Sequence, residues 1–324
     1  MAVNMNPDPS RTRHARWTSI LAVGLLAVVS ASTAWAAEPC EPRPSGKLRL
    51  AVCQFPISAD IAANGRWIRS QLAEAAEKKA DLVHFPETAL SGYAASDHET
   101  LDGLDWDLLR RETESILALA KKHGLWVVLG STHRLGDGHK PHNSLYVVNP
   151  EGRVVDRYDK RFCTEGDLRH YSPGNRSVVF EVNGVKCGLL ICHDYRYPEL
   201  YREYARRGVH LMLHSFYNAF TTMEATEGKL CKEYAQVYAS MNHFFVSYTN
   251  TSRPCAWPSC FVTPDGRVEA VLPTHQAAVE VREVDLSRKY DDPSGAFRGD
   301  ALRGKLHSGQ TVDDPRATDR KSWE

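Results

Sequence analysis

The chain has no excess of either charge: 40 Lys plus Arg stand against 40 Asp plus Glu in 324 residues. That balance gives no electrostatic reason to expect nucleic acid or an acidic surface as a partner, and it suits a small neutral ligand. The eight cysteines contain no paired C-x-x-C spacing, which argues against a structural zinc site. Neither a metal nor another cofactor is expected. No internal repeat and no linker interrupts Leu48 to Asp285, so one domain is the simpler reading of that stretch. A long membrane-spanning run is also missing at the N-terminus: the apolar segment Ile20 to Val29 falls short of the about 20 residues a span needs.

What does stand at the N-terminus has another pattern. Arg11, Arg13 and Arg16 precede that short apolar run, and Ala34-Trp35-Ala36 supplies a small-x-small cleavage site. Together they predict a secretory signal peptide over 1–36, with a mature chain from Ala37 that is periplasmic or secreted. An uncleaved membrane anchor is the alternative. No membrane partner is expected once the signal is removed. All eight cysteines lie beyond the cleavage site, where disulfides can form. The segment Cys255 to Cys260 is able to close a small loop, whereas Cys53, Cys187 and Cys231 sit in apolar patterns and read as buried thiols.

Hydrophobic periodicity lays out the rest of the chain. A buried strand is expected at Leu48–Phe55, then a helix near 63–78, a short strand at Asp81–Phe85, a helix near 106–122 stopped by Gly124, and a strand at Leu125–Gly130. Strands at 144–148 and 154–158 flank Asn149-Pro-Glu-Gly152. Strands at 178–182 and 185–191 flank Asn183-Gly184, a strong hairpin signal. A helix near 198–207, a strand at 209–214, a long helix near 223–241, a strand at 244–249, a hairpin about Pro264-Asp265-Gly266 and a strand at 277–284 complete the pattern. This is a mixed α/β arrangement. Beyond Asp285 the chain is polar and aperiodic, as a solvated tail or a subunit-embracing arm would be.

Three segments carry chemistry. In Gly188-Leu-Leu-Ile-Cys192-His-Asp-Tyr-Arg-Tyr-Pro-Glu199, an apolar strand ends at a cysteine and a proline-initiated helix follows. A thiol at that junction lies beside backbone N–H groups able to stabilise an oxyanion. In His84-Phe-Pro-Glu87-Thr-Ala-Leu-Ser-Gly-Tyr93, a carboxylate follows a strand and a proline. In Tyr158-Asp-Lys160-Arg, a lysine follows a hairpin strand. Taken singly, each reads as blandly structural: a buried thiol, a loop glutamate, a surface lysine.

In this order and separation the three resemble the nitrilase, or carbon–nitrogen hydrolase, superfamily, over about Lys47 to Lys289. The resemblance implies a four-layer α-β-β-α sandwich over 47–289, preceded by a linker at 37–46 and followed by a polar tail at 290–324. It implies a homodimer or higher homo-oligomer. It also implies Cys192 as nucleophile, Glu87 as general base, and Lys160 with the His193 N–H as oxyanion donors. A free thiol has a pKa near 8.5 and needs such neighbours to react near neutrality. Many family members add a second glutamate after the lysine. By residue type Glu165 fits and is slightly preferred; measured back from Ser172-Pro-Gly174, Asp167 fits.

Cys192-His193-Asp194 is similar to the amidase-like branch rather than to true nitrilases. The expected activity is therefore hydrolysis of a small linear amide, releasing ammonia or amine. Hydrolysis of an N-carbamoyl amino acid or a nitrile is the alternative on the same fold, and a non-catalytic exported binding protein is the alternative outside enzymes. Arg196, which can hold a substrate carboxylate or pair with a structural glutamate, joins His214, Tyr217 and Asn218 as expected pocket residues.

Overall fold

The computed structural model describes residues 45–321 and 323, except 95, 137, 219–225 and 255. The expected signal peptide, Cys40 and Cys255 lie outside the described residues.

Two six-stranded sheets organise the chain. The first runs in the order β12-β1-β2-β3-β4-β5, built from β1 (Lys47–Gln54), β2 (Leu82–His84), β3 (Trp126–His133), β4 (His142–Val148), β5 (Val154–Asp159) and β12 (Ala278–Asp285). The second runs β11-β10-β9-β8-β7-β6, from β6 (Val179–Val182), β7 (Val185–Ile191), β8 (Leu211–Ser215), β9 (Phe245–Thr249), β10 (Cys260–Val262) and β11 (Val268–Val271). In each sheet a central parallel trio, β1-β2-β3 or β7-β8-β9, is extended by antiparallel strands.

Strand periodicity decides what each face meets. In β1, Leu48, Leu50 and Val52 join the core shared with the second sheet, while Ala51 and Cys53 face helices α1 (Ile61–Glu77) and α2 (Trp106–His123). β2 and β3 alternate in the same way: Leu82 and Val128 turn inward, and Val83, Val127 and Leu129 turn toward the helices. Tyr201 and Tyr204 of α3 (Pro198–Arg206) and Ala235 and Tyr238 of α4 (Thr226–Asn242) belong to the core of the second sheet. The result is the expected four layers, helix, sheet, sheet, helix.

Local signals set the element ends. Asp60 and Asp105 cap α1 and α2, accepting from the N–H of Ala63 at 2.9 Å and of Leu108 at 2.8 Å. Gly124 ends α2 in the left-handed region. Asn183 and Gly184, at φ 52° and 86°, make the β6–β7 turn that the Asn-Gly pair demands.

Two expectations change. Cys260, one end of the expected small loop, is a buried free thiol in β10, and its side chain lies in the apolar core. The aperiodic tail contains two short, exposed helices, α5 (Gly295–Leu302) and α6 (Pro315–Thr318). Neither has a buried face, which is why no hydrophobic period announced them; α5 is tied down by Arg206 Nε donating to Leu302 O at 2.9 Å.

Candidate active site

Strand ends from both sheets converge on one point. Glu87 stands three residues past β2 and Lys160 directly follows β5, both in the first sheet. Cys192 directly follows β7 and Tyr217 lies two residues past β8, both in the second. The close approach of the Glu87 loop depends on Gly130 of β3: a Cβ there would sit 2.0 Å from Pro86 O and 2.8 Å from Thr88 N.

Lys160 is fully enclosed, yet it is not the surface lysine its hairpin position suggests. Its Nζ lies 2.9 Å from Glu87 Oε1 and 2.8 Å from Asp167 Oδ2, with all three side chains at most 1% exposed. Burial works against the lysine's charge, but Glu87, Cys192, Tyr93 and Asp167 overcome it and hold the pKa well above the ordinary value. A cation so placed is a permanent donor.

Glu87 is held by further donors. Oε1 also accepts from Asn143 Nδ2 at 2.7 Å, and Oε2 accepts from the Tyr217 N–H at 2.7 Å. Burial raises its pKa above the usual carboxylate value, and Lys160 opposes that rise. Cys192 sits beside it, partly exposed, with φ at 43°. Burial and then the Glu87 charge push the thiol well above its ordinary pKa, while Lys160 pulls it down. Burial thus favours the proton-bearing thiol, which stands next to the Glu87 carboxyl group that can accept its proton.

The structure brings Asp167 to Lys160, and not Glu165, which was slightly preferred for that place. Glu165 is exposed. Asp167 begins a short 3₁₀ turn, Asp167–Arg169, that turns its side chain inward; Oδ2 also accepts from the Thr164 N–H at 2.9 Å, and Oδ1 accepts from Tyr93 OH. Burial alone would raise its pKa, but Lys160 and these donors hold it below the ordinary range.

The remaining expected pocket residues fall into different places. His193 is half-buried, edge-on to Tyr197 at 5.8 Å, and its N–H takes no acceptor among the described residues. Arg196 is exposed, with its guanidinium 4.9 Å from the centre of the Tyr195 ring. His214 is buried, its Nε2 3.1 Å from the Cys192 carbonyl oxygen. Tyr217 stacks on Tyr93 at 5.0 Å, and its OH donates to Asp97 at 2.8 Å. The Asn218 N–H donates to Asn250 Oδ1 at 2.8 Å.

Three residues not expected at the site belong to its frame. Asn143 holds Glu87, Tyr93 holds Asp167, and Asp194 joins the ends of β5 and β7. Asp194 accepts from Tyr158 OH at 2.8 Å, from the Phe162 N–H at 2.8 Å and from the Ile191 N–H at 2.9 Å. Tyr93 and Asp194 stood inside the segments already singled out. Asn143, at the start of an ordinary strand, gave no signal. A cavity of about 520 Å³ opens beside the Asp167–Arg169 turn, lined by Trp106, Arg134, Lys140, Arg169 and His170 among others. Neither Glu87, Lys160 nor Cys192 lines it, so converging side chains rather than cavity size locate the chemistry.

Two stacked sheets between helices thus bring a Cys, a Lys and two carboxylates together. Residues 49–292 match the family model for carbon–nitrogen hydrolases, and the chain belongs to that family. A Mycobacterium tuberculosis protein named as a hydrolase is 31% identical over 175 residues, 51% of this chain and 59% of its own. The 2-oxoglutaramate amidase of Bacillus subtilis is 29% identical over 51% of this chain and 63% of its own. The chain thus spans about three-fifths of the length of these two relatives. Omega-amidase NIT2 of Homo sapiens is 28% identical over 74% of this chain and 89% of its own. Among solved structures, an amidase of Nesterenkonia sp. AN1 carries the acetamide moiety of fluoroacetamide on its active-site cysteine. It superposes with a TM-score of 0.68 at 22% identity, covering 82% of this chain and 96% of that one. At that identity the likeness is one of fold.

Proposed function

We propose that the protein is an exported amidase that hydrolyses a small linear amide through a thioester on Cys192. The observation that carries this reading is the buried Glu87–Lys160–Asp167 ion cluster beside Cys192, a residue that is itself only partly buried. A buried cation between two carboxylates costs desolvation; the reaction uses Glu87 and Lys160, and Asp167 anchors Lys160. Glu87 takes the Cys192 proton as the sulfur attacks the amide carbon. Lys160 Nζ and the His193 N–H receive the carbonyl oxygen as it becomes an oxyanion. Protonated Glu87 then gives the proton to the nitrogen, and ammonia or amine leaves a thioester behind. Water enters, gives a proton to Glu87 and attacks the thioester carbon. Collapse of the second tetrahedral species releases the carboxylic acid, and the sulfur regains its proton from Glu87.

The relatives named as amidases and the Cys192-His193-Asp194 segment support an amide in preference to a nitrile. The Arg-rich, short apolar N-terminus supports export. Leu230, Val237 and Met241, exposed on α4 at helical spacing, support self-association into a homodimer.

Ammonia release across aliphatic amides, omega-amides, N-carbamoyl amino acids and nitriles tests the activity. At least one amide is expected to turn over, and Cys192→Ala is expected to abolish release from every active substrate. Turnover that survives in Cys192→Ala, or activity confined to nitriles, would overturn the reading.

A further inference from the structure

The Cys192 carbonyl oxygen has a partner that the hydrolytic steps above do not use. His214, on the neighbouring strand β8, approaches it with Nε2 at 3.1 Å. The other ring nitrogen, Nδ1, meets Tyr201 OH of α3 at 2.6 Å, and Tyr201 OH meets Tyr248 OH of β9 at 2.9 Å.

Hydrogen-bond bookkeeping fixes every direction in this chain. A carbonyl oxygen only accepts, so Nε2 carries the hydrogen. The ring is buried, and burial drives its pKa well below the ordinary value, so it is neutral and Nδ1 is an acceptor. Tyr201 OH therefore donates to Nδ1 and accepts from Tyr248 OH. The ring has little freedom to tilt: Phe216 stacks on it at 4.3 Å and 17°, and Tyr238 stacks on Tyr201 at 3.6 Å and 5°.

The carbonyl held in this way belongs to the peptide unit that links Cys192 to His193. In a planar trans peptide the C=O and the N–H point in opposite directions. A donor that captures one end of the unit thereby aims the other. The other end is the His193 N–H, which takes no acceptor among the described residues. The peptide needs holding, because Cys192 lies at φ 43°, in the left-handed region where a non-glycine residue is strained. A hydrogen bond to the carbonyl also polarises the amide and strengthens its N–H as a donor.

We propose that His214 is a positioning residue for hydrolysis: its Nε2–H clamps the Cys192 carbonyl and so aims the His193 N–H at the oxygen that becomes the oxyanion. This inference rests on Cys192 being the nucleophile. Tyr201 and Tyr248 act one and two links further back, fixing the tautomer that makes His214 a donor.

The test compares amide turnover with reaction of Cys192 toward methyl methanethiosulfonate, a thiol reagent with no carbonyl to place in an oxyanion hole. His214→Leu is expected to lower kcat about 100-fold, the scale of a lost oxyanion donor. KM and the rate of Cys192 modification, followed by peptide mapping, are expected to stay within about threefold of the parent, because neither needs the aimed N–H. His214→Gln, whose amide N–H reaches the position of Nε2, is expected to recover turnover to within about tenfold of the parent. Tyr201→Phe is expected to fall between the parent and the Leu variant, and it reports on the relay if the Leu variant does not fold. Unchanged kcat in His214→Leu, modification slowing in step with turnover, or a Gln variant no better than Leu would overturn the role of His214. Turnover retained in Cys192→Ala is a separate failure, which removes the nucleophile itself.

Discussion

Asp167 and Glu165 show how one residue's role turns on geometry that residue type does not reveal. Two residues apart in a polar loop, both fit as the second carboxylate by sequence, with Glu165 slightly preferred. The 3₁₀ turn sends one to Lys160 and leaves the other in solvent. The convergence of Cys192, Glu87 and Lys160 was legible because each follows a strand, by one to three residues, within a distinctive motif. Asn143 was not, because its contact with Glu87 spans two strands and has no local signature. Asp167→Asn is expected to lower kcat/KM by about 10- to 100-fold, since Lys160 loses an anchor and Glu87 becomes a weaker base. Glu165→Gln is expected to remain within about twofold, as an exposed side chain away from special features. The pH profile supplies the sign. The Glu87 pKa lies above the usual carboxylate value, raised mainly by burial and in part by the Asp167 charge. The base must be ionised, so activity falls as pH drops through that pKa. Removing the Asp167 charge lowers it and moves the acid limb toward lower pH. Equal losses in both variants, or an acid limb that moves upward, would contradict this.

At the scale of elements, the strands and hairpins were legible because apolar alternation and turn residues are local. β1, the Asn183-Gly184 hairpin and the Pro-initiated α3 fall within a residue or two of their expected bounds. β2 and β8 are shorter than expected: the apolar residues flanking them serve loops that carry Glu87 and link α3 to β8. The tail helices were illegible for lack of any buried face. Gly130 looks like an ordinary interruption in β3, but it is where the Glu87 loop rests on the sheet. A Cβ at 2.0 Å from backbone cannot be relieved by rotating a side chain. Gly130→Ala is expected to destabilise the fold by about 1–3 kcal/mol and to cut kcat at least about tenfold by displacing Glu87. Gly103→Ala, whose Cβ meets nothing within 4 Å, is the control, expected to preserve both. Thermal melting and turnover of the pair decide the matter; matched behaviour would show that the close approach is unimportant.

At the scale of the whole molecule, native mass spectrometry of protein made in an exporting host tests two parts of the proposal together. The expected species is a dimer of chains beginning near Ala37. A subunit mass that includes residues before Ala34 sinks cleavage, and a monomer at micromolar concentration sinks self-association. The division of the site between the sheets has a further consequence. Glu87 and Lys160 are fixed to one sheet, and Cys192 and His214 to the other. Advancing one sheet over the other by a single residue would displace the partners by about 3.3 Å, far beyond the tolerance of a proton transfer. The apolar layer between the sheets is thus a gauge as well as a glue. His84 crosses it, bonded to Ser247 at 3.0 Å and Ser215 at 2.9 Å. Such polar pins set alignment where oily side chains alone would allow creep, so substitutions in that layer are judged by how well they keep calibration, not only by how much free energy they remove.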